Sequence, residues 1–438
     1  MFFNFPEKRR LKFLSLGCDK NLVDTEKILA QLKCQGYEIV SHLPAEIMLI
    51  NTCAFIEPAK QESIEEILLA VELKKKGKIK KLVVVGCMVE LYKEELEKEI
   101  PEVDLWIKYS EIEQVSRILL EEFPQKPLDF AEPRIITTPS HISYLKIAEG
   151  CDRGCSFCVI PRIRGRFYSI REEELLKEAK FLEEKGVKEL NLVAQDLSDY
   201  GKDTGSSLLR LLERLLKETQ IPWLRLFYLN PEGITSDLIE LVSKEERICS
   251  YFDLPFQHIS EKILSQMRRA IREKELKRII ELIREQIPQA VIRGTALVGF
   301  PGETKRDFEE LIKFVEWAEF DWLGVFAFSP EPFAPASKLS HQIPEQIALQ
   351  RKEELELFWQ GLAEEKNQAK VGKVYSVLVD NPDDLGYDFQ GRSFEQGYEV
   401  DGVIHLKGNF SPGKFYQIQI TEGLGLDLVG EKAQGGEK

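Results

Sequence analysis

The N-terminal part of the chain alternates between short apolar runs and stretches with a helical period. Residues 13–16, 46–50 and 82–85 are apolar runs typical of buried strands. Residues 25–35 and 60–76 repeat their apolar positions every three or four residues, which predicts helices. Strands that alternate with helices form parallel sheets, so residues 8–124 are predicted to form a parallel α/β domain.

A proline-rich segment separates this domain from a second series of strands and helices. Residues 125–140 show little periodicity, which is typical of a linker. Helical patterns such as residues 172–185, 207–217 and 306–319 then alternate with six apolar runs. The six predicted strands are residues 144–148, 189–194, 224–228, 251–254, 290–298 and 322–328. Six β/α units predict a partial (β/α)6 barrel over residues 141–370, with functional residues at the C-terminal ends of its strands.

The apolar period changes from helical to alternating near Gly372. Residues 344–370 form a long charged helical pattern, whereas residues 374–379, 403–406 and 416–420 alternate apolar and polar side chains. Turn residues separate these short strands, which predicts a small antiparallel β-barrel, similar to the oligonucleotide/oligosaccharide-binding (OB) fold, over residues 371–432. We expect residues 433–438 to form a disordered tail.

The composition favours a cytoplasmic protein without a membrane span. The chain has 438 residues and a net charge of −14, and no apolar run approaches the roughly 18 residues that a span needs. No long apolar segment follows a basic one at the start of the chain, so we expect no signal peptide. Eight cysteines in such a chain indicate liganded or free thiols. The acidic balance disfavours nucleic acid as substrate and favours a basic or neutral partner.

Three cysteines with CxxxCxxC spacing, Cys151, Cys155 and Cys158, follow the first predicted strand of the central domain. Three thiolates on a short loop can hold three irons of a cubane cluster and leave the fourth iron open for a non-protein ligand. A structural zinc site normally has a fourth Cys or His nearby, and the nearest candidates are His141, before the strand, and Cys249, far downstream. The spacing favours an iron–sulfur site, with zinc or unliganded cysteines as the alternatives.

Three further cysteines, Cys18, Cys53 and Cys87, each follow a predicted strand of the N-terminal domain. The carboxyl ends of parallel strands lie along one crevice, so the three sulfurs should converge at one edge of the sheet. Each cysteine alone could be a small buried apolar residue. Together, at equivalent strand ends, they favour a second metal site, and we assign Cys34 and Cys249 to the core.

The CxxxCxxC loop, with Phe157 before its last cysteine, resembles the radical S-adenosylmethionine (SAM) superfamily. In that superfamily the open iron binds SAM, and an electron from the cluster splits SAM into methionine and a 5′-deoxyadenosyl radical. Three dispersed cysteines followed by this loop resemble the methylthiotransferases, which carry two 4Fe–4S clusters. The branch that modifies an aspartate of a ribosomal protein is similar in the motifs SLGCDKNLVD (residues 15–24) and INTCAFI (residues 50–56). The tRNA-modifying branch typically has Gly-Cys-Gln-Met-Asn at the first site.

The resemblance implies roles for both groups of cysteines and for residues at the barrel strand ends. The CxxxCxxC cysteines would hold the radical-generating cluster, and the three dispersed cysteines would hold an auxiliary cluster from which sulfur is delivered. A second SAM would supply the methyl group. The residues predicted to contact SAM are Phe157, Gln195, Gly299 and Pro301. Apart from the resemblance, His258 beside a strand end is a candidate that could titrate or donate to substrate, and the alternative is a structural hydrogen-bonding role.

Two stretches depart from the pattern of that branch. Residues 169–171 are Ser-Ile-Arg where the branch often has Ser-Arg-Pro, and residues 331–334 are Glu-Pro-Phe-Ala where it usually has Glu-Glu-Gly-Thr. The cofactor chemistry does not depend on these positions. We therefore transfer no substrate contact from the family to these positions of the chain.

The C-terminal domain resembles the TRAM domain of methylthiotransferases, but it is acidic. Residues 371–430 contain nine acidic and four basic residues, a net charge of −5. An RNA-binding barrel needs the opposite sign, whereas ribosomal proteins are strongly basic. We therefore predict that Asp383, Asp384 and Asp388 help to dock a protein substrate. The alternative is that the domain is only a structural cap.

The resemblance thus implies a methylthiotransferase that modifies the β-carbon of an aspartate in small-subunit ribosomal protein twelve. It would need an electron donor and a sulfur donor. One alternative is a tRNA methylthiotransferase acting on adenosine beside the anticodon. The other is a non-catalytic iron–sulfur scaffold or electron carrier.

Overall fold

The structure, a computed structural model, describes residues 9–125, 127–128 and 132–433. The start of the chain and the predicted tail beyond Ala433 lie outside these residues, as does part of the predicted linker. The chain divides into two compact units. The first comprises the chain up to Thr137 together with Glu149–Asp152 and Val159–Phe167, and the second comprises the remainder. Two short segments, the first of which includes Cys151, thus belong to the N-terminal unit, which the sequence did not indicate.

The first unit is built on a five-stranded parallel sheet, as the alternation of strands and helices predicts. Its strands are β1 (Arg10–Ser15), β2 (Glu38–Val40), β3 (Ile47–Thr52), β4 (Lys81–Gly86) and β5 (Leu105–Lys108). Their order in the sheet is β2-β1-β3-β4-β5. Its helices are α1 (Asp19–Cys34), α2 (Glu57–Lys75), α3 (Cys87–Glu99), α4 (Val115–Glu122) and α5 (Ile160–Arg164). The edge strands β2 and β5 are too short to give a clear apolar pattern, so the sequence did not reveal them.

Helix α1 begins six residues before the helical pattern that predicts it. Its first turns contain polar side chains that are buried, among them Lys20, Asn21 and Asp24. A helical turn that buries polar groups has no apolar period, and the sequence pattern therefore places it in a loop. The early start brings these polar groups beside Cys18, which immediately precedes the helix.

The second unit contains the six strands predicted for the central domain, arranged as two three-stranded parallel sheets. These strands are β6 (Ile142–Lys146), β9 (Glu189–Val193), β10 (Trp223–Leu226), β11 (Tyr251–Gln257), β12 (Val291–Val298) and β13 (Trp322–Ala327). The strand orders are β10-β9-β6 and β11-β12-β13. Two short strands, β7 (Ala148–Glu149) and β8 (Tyr168–Ser169), flank the CxxxCxxC segment. The strand–helix alternation of a partial barrel is confirmed.

Helices alternate with these strands and cover the sheets. They are α6 (Glu172–Glu184), α7 (Leu208–Glu218), α8 (Ser236–Lys244), α9 (Glu261–Gln266), α10 (Glu273–Gln286), α11 (Lys305–Ala318) and α12 (Glu345–Gln368). The longest, α12, corresponds to the charged helical pattern near residue 350. No helix in the described part of the chain is long and apolar enough to cross a membrane.

The C-terminal segment forms a closed five-stranded barrel, which confirms the predicted small barrel. Its strands are β14 (Val374–Pro382), β15 (Phe389–Arg392), β16 (Ile404–Lys407), β17 (Phe415–Leu424) and β18 (Asp427–Lys432). They close in the order β14-β15-β16-β18-β17. All neighbours are antiparallel except β16 and β18, which pair in parallel. The sequence missed this pair because β18 has few strongly apolar residues.

Buried ion pairs join the central sheets to the small barrel within the second unit. Arg225 on β10 binds Glu189 at 2.7 Å, and Arg392 on β15 binds the same carboxylate at 2.6 Å. Arg392 also pairs with Asp380 on β14 at 2.7 Å. These charges are almost fully buried, and such groups are tolerated inside a protein only when they are paired. The two segments that the sequence separates therefore form one compact unit.

Candidate metal centres

Three cysteines lie at the ends of three neighbouring strands in the first unit. Cys53 directly follows β3, Cys87 directly follows β4, and Cys18 lies three residues after β1. The three strands are adjacent and parallel, so their carboxyl ends lie along the same edge of the sheet. The structure thus places all three cysteines at the edge where the sequence predicts them.

Packing and electrostatics show that these cysteines are close to one another. A Cβ atom on Gly17, whose φ is +84°, would lie only 2.6 Å from Cys53 Sγ, so the Cys18 segment packs directly on Cys53. Burial, together with negative charge on Cys18 and Cys53, raises the pKa of Cys87 to about 12, although the Arg164 guanidinium acts to lower it. Burial also raises the pKa of Cys53. Thiols in such a setting become thiolate ligands when a bound metal displaces their protons.

Three cysteine thiolates are the kind of donor set that holds an iron–sulfur cluster. Within the described ranges, no group of three or more His, Cys, Asp or Glu side chains is arranged to hold one ion. A cubane cluster is wider than an ion and takes thiolate ligands, which are the donors present here.

Of the two cysteines assigned to the core, Cys249 is buried but Cys34 is only half-buried.

Asn21, which the sequence analysis did not select, connects the segments that carry the three cysteines. Its side-chain amide donates to Leu16 O at 3.0 Å and to Thr52 O at 2.9 Å. Cys87 Sγ lies 3.7 Å from Asn21 Oδ1. Because Asn21 is fully buried, its amide satisfies two carbonyls that water does not reach. It therefore holds two cysteine-bearing segments in a fixed relation.

Replacing Asn21 by alanine is expected to lower the free energy of unfolding by about 3 kcal/mol, because two buried carbonyls lose their donor. Chemical denaturation of the metal-free protein, followed by circular dichroism, measures the change. The matched control is Asn409→Ala on an exposed loop, for which we expect a change within about 0.5 kcal/mol. Equal effects of the two variants would contradict the role given to Asn21.

A buried cluster of charged and polar groups adjoins the same edge. Arg164, the last residue of α5, is 2% exposed at its side chain. Its Nη1 donates to Asp24 Oδ2 at 3.3 Å, Glu149 Oε1 at 3.0 Å and Tyr109 Oη at 2.9 Å. Its Nη2 lies 3.7 Å from Cys87 Sγ. No sequence motif indicated these contacts, because the partners are far apart along the chain.

The CxxxCxxC segment contributes to both compact units. Cys151 belongs to the first, where its amide donates to Gly165 O at 3.3 Å. Cys155 and Cys158 belong to the second, where Cys158 N donates to Cys155 O at 3.1 Å in a tight turn. Between them, Ser156 is fixed by a hydrogen bond from its hydroxyl to Gln266 O at 2.7 Å. All three thiols are partly exposed, as ligands of a cofactor-binding cluster need to be.

Arg153, inside the CxxxCxxC motif, anchors the loop to the strand ends of the second unit. Its guanidinium binds Asp196, Asp199 at 3.1 Å and Glu232 at 2.7 Å. Asp196 lies just after β9, and Glu232 lies in the loop after β10. Three carboxylates around one guanidinium fix the loop in position. No sequence motif indicated these three contacts of Arg153.

Arg269 is a second basic residue near this loop that sequence analysis missed. Its Nη1 lies 4.0 Å from Cys155 Sγ, and its Nη2 donates to Asn230 Oδ1 at 3.1 Å and to Pro255 O at 2.9 Å. The two well-formed hydrogen bonds set the direction of the guanidinium. A positive charge is thereby held beside one of the predicted cluster ligands.

The predicted SAM contacts have different surroundings. Phe157 packs on an apolar cluster of the second unit. Gly299 has a φ of +72°, and a Cβ atom there would lie 2.3 Å from Ala348 Cβ on α12. The close approach that the Gly-Phe-Pro-Gly turn permits is thus made to a helix of the chain itself. Gln195 and Pro301 lie after β9 and β12. The role of all four in SAM binding stays a prediction.

His258 does not have the properties of a group that titrates near neutral pH. Its side chain is fully buried, and burial lowers its pKa to about 4. Its Nδ1 accepts hydrogen bonds from the amides of Ile259 and Ser260, both at 2.9 Å. A neutral histidine that caps a turn in this way has a structural role.

The three acidic residues predicted to dock a substrate are not equivalent. Asp383 has a buried side chain whose carboxylate binds His405 Nδ1 at 2.5 Å. Asp384 is exposed, and Asp388 is exposed while accepting a hydrogen bond from Gly408 N at 2.7 Å. Only Asp384 and Asp388 therefore present their charge to a partner.

Three family models match successive parts of the chain. The model described as "Uncharacterized protein family UPF0004" matches residues 10–108. The radical SAM superfamily matches residues 145–315, and the TRAM domain matches residues 371–432. Each match covers one of the three segments that the sequence pattern distinguishes.

Curated relatives match almost the whole chain. One relative is a protein of Clostridioides difficile (strain 630) that is named ribosomal protein uS12 methylthiotransferase RimO. It is 42% identical, and the alignment covers 95% of this chain and 97% of the relative. A protein of Aquifex aeolicus (strain VF5) with the same name is 43% identical over 97% of this chain and 98% of the relative.

Solved structures show similarity of fold. The radical S-adenosylmethionine methyltransferase TsrM from Kitasatospora setae, solved with tryptophan substrate and a SAM analogue, is 14% identical with a TM-score of 0.56. The match covers 75% of each chain. At this identity the likeness supports the radical SAM fold and nothing about the substrate.

Proposed function

The chain belongs to the family of ribosomal protein uS12 methylthiotransferases, RimO, and we propose that it adds a methylthio group to the β-carbon of an aspartate of uS12 by radical SAM chemistry. The observation that carries the proposal is the presence of two separate groups of three cysteines. One group lies at the strand ends of the first unit, and the other has CxxxCxxC spacing. Sulfur insertion and radical generation need two distinct metal centres, which these groups can provide.

The cofactors are two 4Fe–4S clusters and SAM, which when bound supply one-electron chemistry, sulfur and the methyl group. Cys18, Cys53 and Cys87 would hold the auxiliary cluster. Cys151, Cys155 and Cys158 would hold the cluster that binds SAM. Partners of the reaction are an electron donor and a sulfur donor, and its setting is the cytoplasm, where ribosomal proteins and reduced thiols occur.

The chain's own residues orient these ligands. Arg153, bound to three carboxylates, fixes the loop on which Cys155 lies. Asn21 holds the segments before Cys18 and Cys53. Cys53 and Cys87 are buried, which limits the access of water and oxygen to cluster sulfur. The protein thus provides position and a dry environment, while the cofactors provide the reactive electrons.

Anaerobic reconstitution of the full-length chain with iron and sulfide, followed by incubation with SAM, a reductant and either uS12 or tRNA, tests the proposal. Mass spectrometry is expected to find the mass of a methylthio group on one aspartate of uS12 and no change in tRNA. The matched control is Cys249→Ala, which removes a buried cysteine outside both groups and should leave the product intact. Modified adenosine in tRNA, or SAM cleavage without any product, would contradict the assignment of the substrate.

Charge reversal of Asp384 and Asp388 to lysine is expected to slow the association of uS12 about tenfold at low salt, because exposed charges steer encounter. The difference from the unaltered protein should shrink at physiological salt, where the Debye length is about 8 Å. Stopped-flow fluorescence with labelled uS12 measures both effects. Cleavage of SAM in the absence of uS12 should not change.

The control for this prediction reverses two exposed acidic residues outside the barrel. Glu353 and Glu354 are exposed on α12, whereas Asp384 and Asp388 lie between β14 and β15. The Glu353→Lys/Glu354→Lys variant has the same change in net charge. If it slows association as much as the first variant, net charge rather than the β14–β15 loop guides the substrate.

A further inference from the structure

Arg164 brings a buried positive charge from the segment after the CxxxCxxC motif to the cysteines of the N-terminal sheet. It lies six residues after Cys158, yet its Nη2 is 3.7 Å from Cys87 Sγ. The same nitrogen donates to Asn21 Oδ1 at 2.9 Å. With a side chain only 2% exposed, this guanidinium is almost completely screened from water by the protein.

Several contacts fix the orientation of Arg164. Glu149, two residues before Cys151, accepts from Nη1 with both carboxylate oxygens at 3.0 and 3.1 Å. Tyr109 packs its ring against the guanidinium, with 4.3 Å between the guanidinium carbon and the ring centre. Tyr109 Oη also donates to Glu149 Oε2 at 2.7 Å. One side chain therefore contacts residues beside both groups of cysteines.

We propose that Arg164 is a positioning residue that raises the reduction potential of the auxiliary cluster through its contact with Cys87. This inference rests on the proposed function, which places a cluster on Cys18, Cys53 and Cys87. A cluster held by thiolates is anionic and gains a further negative charge on reduction. A fixed cation and an N–H group directed at a ligand sulfur stabilise the reduced form and raise the potential.

The sign of the effect can be tested with the partner of Arg164 as well. Glu149 is a negative charge in the same buried cluster, and it offsets part of the arginine's charge. Loss of the arginine charge should lower the potential, whereas loss of the carboxylate charge should raise it. A purely structural ion pair would not produce shifts of opposite sign.

The first unit contains a matched control. Arg134 is also a fully buried arginine, and it pairs with Glu26. Replacing Arg134 by glutamine breaks a buried ion pair at comparable structural cost. It leaves Arg164 and its contact with Cys87 in place.

The experiment uses the full-length chain in which Cys151, Cys155 and Cys158 are alanine, so that only the auxiliary cluster can form. After anaerobic reconstitution, a potentiometric titration followed by electron paramagnetic resonance measures the midpoint potential. Adding Arg164→Gln is expected to shift the reduction equilibrium at least tenfold toward the oxidised form. For a one-electron reduction, a tenfold shift lowers the midpoint potential by about 59 mV. Arg164→Lys, which keeps the charge, should give a smaller fall.

The remaining variants separate the possible outcomes. Glu149→Gln is expected to raise the potential, and Arg134→Gln should leave it unchanged. If Arg164→Gln does not fold, Arg164→Lys and Glu149→Gln still test the sign. Potentials equal to that of the Arg134→Gln protein in every Arg164 and Glu149 variant would overturn the inference alone. A parent protein that binds no cluster would overturn the auxiliary site itself, and the inference with it.

Discussion

Full-length protein in which Cys151, Cys155 and Cys158 are all replaced by alanine is expected to bind about half as much iron as the unaltered protein. The remaining iron should be a single 4Fe–4S cluster on the N-terminal cysteines. The physical reason is that Cys18, Cys53 and Cys87 all lie within the first compact unit. Iron and sulfide analysis after anaerobic reconstitution, with Mössbauer spectroscopy, gives the count and type of cluster.

The complementary variant and a control complete this test. Replacing Cys18, Cys53 and Cys87 by alanine should also leave about half of the iron, now with SAM cleavage on reduction. A Cys34→Ala/Cys249→Ala protein should bind the full amount, because these cysteines lie outside both groups. If the first variant is folded but binds no iron, the strand-end cysteines are only small buried side chains.

The sequence pattern was sufficient to predict those helices and strands that follow from local periodicity. The parallel strands that end at Cys53 and Cys87 are apolar runs with helices on both sides, and such runs predict a buried parallel sheet. The position of their carboxyl ends then follows from topology. For this reason the convergence of the cysteines could be predicted without knowing any side-chain contact. Near-full-length relatives confirm the family resemblance based on these motifs.

The groups that orient the cysteines could not be predicted in this way. Arg164 and Asp24 are 140 residues apart, and Arg153 and Glu232 are 79 residues apart. A charged residue far from its partner in sequence looks like an exposed surface residue. Only the fold shows that Arg164 is buried among carboxylates. The same limitation applies to Asn21, which lies in a turn that the apolar pattern does not recognise as helix.

Composition also could not distinguish exposed charged side chains from those that are paired inside the protein. Asp383, Asp384 and Asp388 contribute equally to the net charge of the C-terminal segment. In the barrel, however, Asp383 is buried against His405, which stacks on Tyr387 at 4.7 Å between ring centres. A carboxylate that is buried and paired inside the barrel cannot steer the approach of a partner. The docking prediction is therefore restricted to the two exposed carboxylates.

Replacing Cys53 alone by alanine is expected to abolish the methylthio product while reductive cleavage of SAM continues. The backbone at this position does not depend on the thiol, because Ser63 Oγ binds both Cys53 N at 3.1 Å and Cys53 O at 3.0 Å. Loss of the sulfur therefore removes a cluster ligand without removing the local fold. SAM cleavage depends on the CxxxCxxC cysteines, which this substitution leaves unchanged.

Parallel measurements on one preparation decide whether the two activities are separate. Liquid chromatography quantifies 5′-deoxyadenosine, and mass spectrometry quantifies methylthio-aspartate in uS12. Cys34→Ala, which removes a cysteine from the same unit but outside the strand ends, should retain both products. Normal methylthiolation by the Cys53→Ala protein would show that sulfur does not come from the N-terminal centre. Loss of both products would mean that the N-terminal centre is also needed to generate the radical.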